Sequence, residues 1–218
     1  MTLRALVFDF DGLILDTEWP EYLSLTEAFD AHGHQVDMEW FRSRVGTLSA
    51  DWLDELEAAI GRAVDRDAVR TARLERHHAL ISAADPLPGI VDLVESAHAA
   101  GLGLAVASSS QVAWLDEHLE RLGLHGRFDA LVGRDLVGDL AKPAPDVYRA
   151  AVEALGVEPG EAVALEDSPH GIAAAKAAGL ACVAIPNRIT AGGDFSAADL
   201  VVESAAVLTL GALRGLLD

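Results

Sequence analysis

Asp9 and Asp11 stand one residue apart in the stretch LVFDFDGLILDTE (6–18), at the end of an apolar run and just before Gly12. In an extended chain, carboxylates at i and i+2 point to the same side, roughly 6–7 Å apart. Charges that close repel, so a fold that keeps both needs a metal ion, a shared proton or a catalytic duty to offset them. Other chemically capable residues also follow apolar runs: Ser108, Ser109 and Ser110 after LGLAVA, and Glu166 and Asp167 after AVAL. Lys142 lies in the loop AKPAPD. None of these side chains belongs in a core.

Together they suit phosphoryl transfer. Asp9 is placed to attack phosphorus, but a carboxylate facing a phosphate dianion is repelled, by about 4 kcal/mol for two unit charges at 4 Å and an effective dielectric near 20. A Mg²⁺ held by Asp9, Asp167 and a main-chain carbonyl near Asp11 would offset much of that, since hard cations favour oxygen ligands. Lys142 adds a point charge. The Ser108 hydroxyl and nearby backbone N–H groups would bind the equatorial oxygens. Asp11 is the candidate to protonate the leaving alkoxide and later to take a proton from water.

Such residues must be brought together by the elements that carry them. Apolar runs of strand length recur at 5–8, 102–107, 128–133, 162–167, 181–185 and 200–202. Most are continuous rather than alternating, as expected of strands covered on both faces. Between them lie helix-length segments at 91–101, 112–123, 146–156 and 171–179, each ending in a glycine suited to a left-handed cap. This alternation predicts a doubly wound, parallel, Rossmann-like α/β sheet, with ligands bound beyond the carboxyl ends of its strands. Residues 16–86 break the rhythm: they hold helical patterns only, with Leu53, Leu56 and Ile60 on one stripe. The reading is therefore an α/β core of residues 1–15 and 87–218, with an all-helical cap at 16–86 inserted after the first strand.

Composition narrows the partners. With 16 Lys plus Arg against 35 Asp plus Glu, the 218-residue chain carries a formal charge of −19 and no basic block. Nucleic acid and anionic membrane surfaces are disfavoured, because both need clustered cations. No apolar run approaches a membrane span, and the first residues lack the layout of a secretion signal, so the expected setting is cytoplasmic. The single cysteine, Cys182, lies in the apolar run ACVAI and reads as a buried strand residue.

DFDGLILDT, ASSS, AKPAPD and LEDSPHG, in that order, resemble the four motifs of the haloacid dehalogenase superfamily. The helical insertion resembles the cap of its β-phosphoglucomutase and sugar-phosphate phosphatase branch. The resemblance covers essentially the whole chain. It implies Asp9 as nucleophile and Asp11 as general acid and base, with Ser108, Ser109 and Lys142 holding the phosphoryl group. It further implies Mg²⁺ on Asp9, the Asp11 carbonyl and Asp167, with Glu166 ligating directly or through water. Dehalogenating members lack the second aspartate, so Asp11 favours phosphate chemistry.

Two activities share this machinery, and the residues favour a phosphatase acting on a small phosphorylated metabolite, a sugar or polyol phosphate above others. The alternative is a β-phosphoglucomutase-like mutase. That branch carries an arginine after the cap's glycine-containing loop, absent from VGTLSAD (45–51), and a histidine where this chain has Glu21. Glu18, Trp19, Gly46, Thr47 and Arg70 are the cap candidates for substrate contact, and a monomer is expected. The remaining tryptophans, Trp40, Trp52 and Trp114, read as packing residues.

Overall fold

The computed structural model describes residues 2–42 and 51–217. Strand β1 (Ala5–Phe8) is buried along its whole length. The chain then forms α1 (Glu18–Asp30), α2 (Met38–Arg42), α3 (Trp52–Ile60) and α4 (Arg66–Ser82). It continues through α5 (Ile90–Ala99), β2 (Gly103–Ala107), α6 (Val112–Arg121), β3 (Ala130–Val132) and α7 (Asp146–Ala154). It closes with β4 (Ala162–Glu166), α8 (Pro169–Ala177), β5 (Ala181–Ala184), β6 (Leu200–Val201) and α9 (Leu210–Arg214).

Two compact units result, one of Met1–Leu15 with Asp85–Asp218 and one of Asp16–Ala84. Residues 85 and 86, which the sequence pattern put with the helical insertion, group with the larger unit. The reason is local pairing: Leu15 bridges to Pro86, and the Leu87 N–H donates to the Ile14 carbonyl at 2.9 Å.

The larger unit is a six-stranded sheet in the order β3-β2-β1-β4-β5-β6, parallel at every pairing. From β1 the chain builds outward to β2 and β3, then crosses to β4 on the other side, so the order reverses between β1 and β4. Such a reversal opens a crevice at the carboxyl ends of the two strands. The register decides what lines it. Phe8 is opposite both Val106 and Leu165, so Asp9 comes level with the ends of β2 and β4.

The strands' alternation sorts side chains by size. Ala5, Val7, Ala105, Ala107, Ala162, Ala164, Cys182 and Ala184 share a core cluster with the inner residues of α7 and α8, among them Ala151, Ala174 and Ala175. Small residues on strand and helix alike let backbones approach closely, and this brings Tyr148 of α7 under the strand ends. Helices α5 and α8 end two residues before the expected glycines, Gly101 and Gly179, whose φ values of 73° and 91° only glycine adopts readily.

The helical unit is organised around Phe29, whose ring centroid lies 5.2 Å from Trp40 and 6.3 Å from Trp52. Leu53 and Leu56 of the expected stripe are fully buried. Asp51 and Asp65 cap α3 and α4 by accepting from the N–H groups of Leu53 and Ala68. Among the described residues no helix is long and apolar enough to cross a membrane.

Candidate active site

Asp9 directly follows β1, is 6 % exposed, and is held in line by its own N–H donating to the Leu165 carbonyl at 3.0 Å. Lys142 reaches it from the loop before α7: Nζ lies 2.5 Å from Asp9 Oδ1 and 2.6 Å from Glu166 Oε1. Glu166 ends β4 with no exposed surface, and its two oxygens accept from five groups. Oε1 takes Lys142 and the Tyr148 hydroxyl at 2.7 Å; Oε2 takes the N–H groups of Asp167 and Ser168 and the Ser168 hydroxyl. So many donors make Glu166 an anchor for Lys142, with little lone-pair capacity left.

The first turn of α8 comes so close to this anchor that a Cβ on Gly171 would overlap the Glu166 carboxylate. The glycine of LEDSPHG is thus required by packing. Ser168 caps the same helix, accepting from the Gly171 N–H at 3.1 Å. Gly12 meets a similar demand at φ 85°, where a Cβ would fall 2.5 Å from Asp167 Oδ2.

Asp9, Glu166 and Asp167 each offer an oxygen within 4.8 Å of the others, all three buried. Three carboxylates against one ammonium leave a deficit that one divalent cation cancels, and an all-oxygen donor set suits magnesium. The residues therefore fit the implied ion. The deficit is visible in the titration of Asp9: burial pushes it up to about 8, and Lys142 only partly opposes this, while Glu166 and Asp11 add to it. Burial acts to lower Lys142, but Asp9 and Glu166 outweigh it and hold the ammonium protonated well above its ordinary range. Burial likewise raises the Tyr148 hydroxyl, keeping it a donor to Glu166.

Asp11 is half-buried, and its carboxylate is committed elsewhere. Oδ2 accepts from Ser110 Oγ at 2.6 Å and Ser108 Oγ at 3.2 Å, and Oδ1 accepts from Trp114 Nε1 at 3.0 Å. This leaves the main-chain carbonyl as the ligand atom that the sequence reading assigned to Asp11. Ser108 is 1 % exposed and also accepts from the Ser110 N–H. Ser109 Oγ accepts from the main-chain N–H of Lys142 at 3.1 Å, so its hydroxyl steadies the lysine loop.

Of the residues expected in the helical unit, Trp19 packs on Tyr22 with ring centroids 5.1 Å apart, and Arg70 pairs with Asp51 at 3.1 Å. Glu18 opens α1. Gly46 and Thr47 lie outside the described residues. Glu21 is paired with Arg73 and with His77.

Three residues of the larger unit were missed by the sequence reading. Asn187 donates through Nδ2 to Asp167 Oδ2 at 2.7 Å and to the Gly12 carbonyl at 3.1 Å, tying two motifs together. It follows β5 within three residues, so the strand-end rule applied to Ala181–Ala184 would have found it. Tyr148 stands on the apolar face of α7, where a hydroxyl must find a buried partner. Trp114 packs against His118, as a packing residue should, and in addition donates its indole N–H to Asp11.

The chain matches the haloacid dehalogenase-like hydrolase family over residues 3–179. It is 37% identical over 212 residues to YhcW of Bacillus subtilis (strain 168), a match covering 97% of this chain and 96% of that protein. With fructose-1-phosphate phosphatase YqaB of Escherichia coli (strain K12) it shares 35% identity over 183 residues, 82% of this chain and 94% of that one. Among solved structures, CbbY from Rhodobacter sphaeroides in complex with phosphate superposes with a TM-score of 0.75 at 33% identity, covering 97% of this chain and 99% of that one. A variant of that protein, in complex with xylulose-(1,5)bisphosphate, superposes with a TM-score of 0.74 at 32% identity, covering 98% and 100%.

Proposed function

The chain belongs to the haloacid dehalogenase-like hydrolases, and from that premise we propose that it is a magnesium-dependent phosphatase hydrolysing a small sugar or polyol phosphate through an aspartyl-phosphate. The observation that carries this reading is Lys142 joining Asp9 to Glu166 beside Asp167 at the crevice between β1 and β4. The sugar class is supported by two relatives, one named for fructose-1-phosphate and one solved with xylulose-(1,5)bisphosphate.

In this reading Asp9, Asp167 and the Asp11 carbonyl hold magnesium, with Glu166 behind them. The bound ion supplies positive charge against the phosphate oxygens. Asp9 attacks phosphorus, and the bond to the leaving oxygen breaks as that oxygen takes the proton of Asp11. Water then attacks the aspartyl-phosphate, giving its proton to Asp11 and releasing inorganic phosphate and free Asp9. Lys142 and Ser108 bind the phosphoryl oxygens; Ser109 and Glu166 keep Lys142 in place. We assign choice of leaving group to the helical unit, with Glu18, Trp19 and Arg70 as its candidates.

The test is phosphate release, with Mg²⁺, from a panel of sugar, polyol, glycolate and nucleotide monophosphates. β-Glucose 1-phosphate belongs in it, with product checked for glucose 6-phosphate. Release concentrated in the sugar and polyol phosphates is expected. Isomerisation without release would replace the phosphatase by a mutase, and loss of nothing on chelation would remove the metal.

A further inference from the structure

Asp11 receives three hydrogen bonds, and they are chemically unequal. Ser108 and Ser110 contact Oδ2 through hydroxyls, which donate or accept as the carboxyl requires. Trp114 contacts Oδ1 through an indole N–H, which only donates. Oδ1 is therefore always an acceptor while this bond holds. The indole thus fixes Oδ1 and leaves Oδ2, on the side of Ser108, as the oxygen whose hydroxyl partners can reverse direction.

The indole is itself fixed in place. Trp114 lies in the first turn of α6, and its ring stands edge-on to His118 with centroids 4.0 Å apart. His118 is 2 % exposed and stacks at 6.3 Å on Phe10, the residue between the two aspartates. The segment that carries Asp9 and Asp11 is thereby packed against the helix that carries Trp114.

We infer that Trp114 is a positioning residue of the phosphatase reaction: it orients the Asp11 carboxyl so that Oδ2 carries the proton to and from the substrate oxygen. This rests on the acid and base role proposed for Asp11. The proton balance is unchanged: Oδ2–H is lost to the leaving oxygen as its bond to phosphorus breaks, and Oδ2 recovers a proton from the attacking water. Trp114 exchanges none.

Leaving-group dependence separates this role from packing. A sugar alkoxide needs a proton to depart; p-nitrophenolate departs as a stable anion. Trp114→Phe keeps most of the ring and removes the N–H. We expect kcat/KM on fructose 1-phosphate, or on the sugar phosphate the panel favours, to fall about 10- to 100-fold, and on p-nitrophenyl phosphate less than about threefold. The ratio of the two, measured on one sample, does not depend on how much of the variant is folded. Should Phe yield no soluble protein, Trp114→Met fills the site more flexibly and lacks the donor equally.

Equal losses on both substrates, or none on either, would overturn the role of Trp114. Asp11→Asn serves as the reference and should show the same discrimination more strongly. If it discriminates and Trp114→Phe does not, the inference falls while the phosphatase reading stands. If Asp11→Asn hydrolyses the sugar phosphate at the wild-type rate, the reading of Asp11 falls and this inference with it.

Discussion

Charged side chains are handled in opposite ways by the two units. At the strand ends, the side chains of Lys142 and Asp9 are nearly buried and that of Glu166 fully so, and the one ammonium joins both carboxylates. In the helical unit, Arg76 pairs with Glu27 while both remain 47 % exposed, and Arg70 pairs with Asp51 in a similar setting. Water screens the second kind of pair, so its geometry is loosely enforced. A buried, multiply bonded charge has no such freedom, because each missing partner leaves a desolvated group unsatisfied. The larger unit thus has the rigidity that reaction geometry needs, and the helical unit tolerates exchange of its surface charges.

Substitutions at the two kinds of site should separate sharply. Asp9→Asn removes the nucleophile with little change in volume, and turnover should fall by at least about 10³-fold with the fold retained. Steady-state phosphate release beside circular dichroism measures this, and near-wild-type turnover would reject Asp9 as nucleophile.

Gly171→Ala drives a methyl group into the Glu166 carboxylate and should destabilise by about 3 kcal/mol or more. Gly126→Ala, where a Cβ meets nothing within 4 Å, is the matched control in the same unit. Equal denaturation midpoints for the two variants would show that the anchor yields easily.

Magnesium binding should depend on pH through Asp9. Its carboxyl, raised to about 8 by burial, holds a proton below that pH which a cation must displace. Apparent affinity should therefore rise with pH, by up to about tenfold per unit, and level off above the pKa. Calorimetry in buffers of different protonation enthalpy should find up to about one proton released per ion at neutral pH. Affinity constant from pH 6 to 8 would remove Asp9 from the ligand set.

The smallest effect belongs to the helical unit. Arg76→Ala should move the thermal midpoint by no more than about 2 °C and leave kinetics unchanged. A larger shift would erase the contrast between the units.

Residue pattern alone carried the strands, the helices and the insertion after β1. Burial on both faces demands continuous apolar runs, and helix exits demand glycines, so these features are written locally. The four motifs were legible for a related reason: Asp9, Asp11, Ser108, Lys142, Glu166 and Asp167 are polar groups next to buried strands or in loops, where only function or solvation explains them. Their pairings were not legible. That Glu166 anchors Lys142, that Ser109 holds the lysine loop and that Asn187 joins Asp167 to Gly12 depend on strand register and crossover, which bring together residues far apart in the chain. Tyr148 and Trp114 were hidden more deeply, since each sits where its helix calls for an apolar residue and satisfies that pattern with its ring. Local periodicity reads the ring; only the tertiary packing decides what the hydroxyl or the indole N–H will meet.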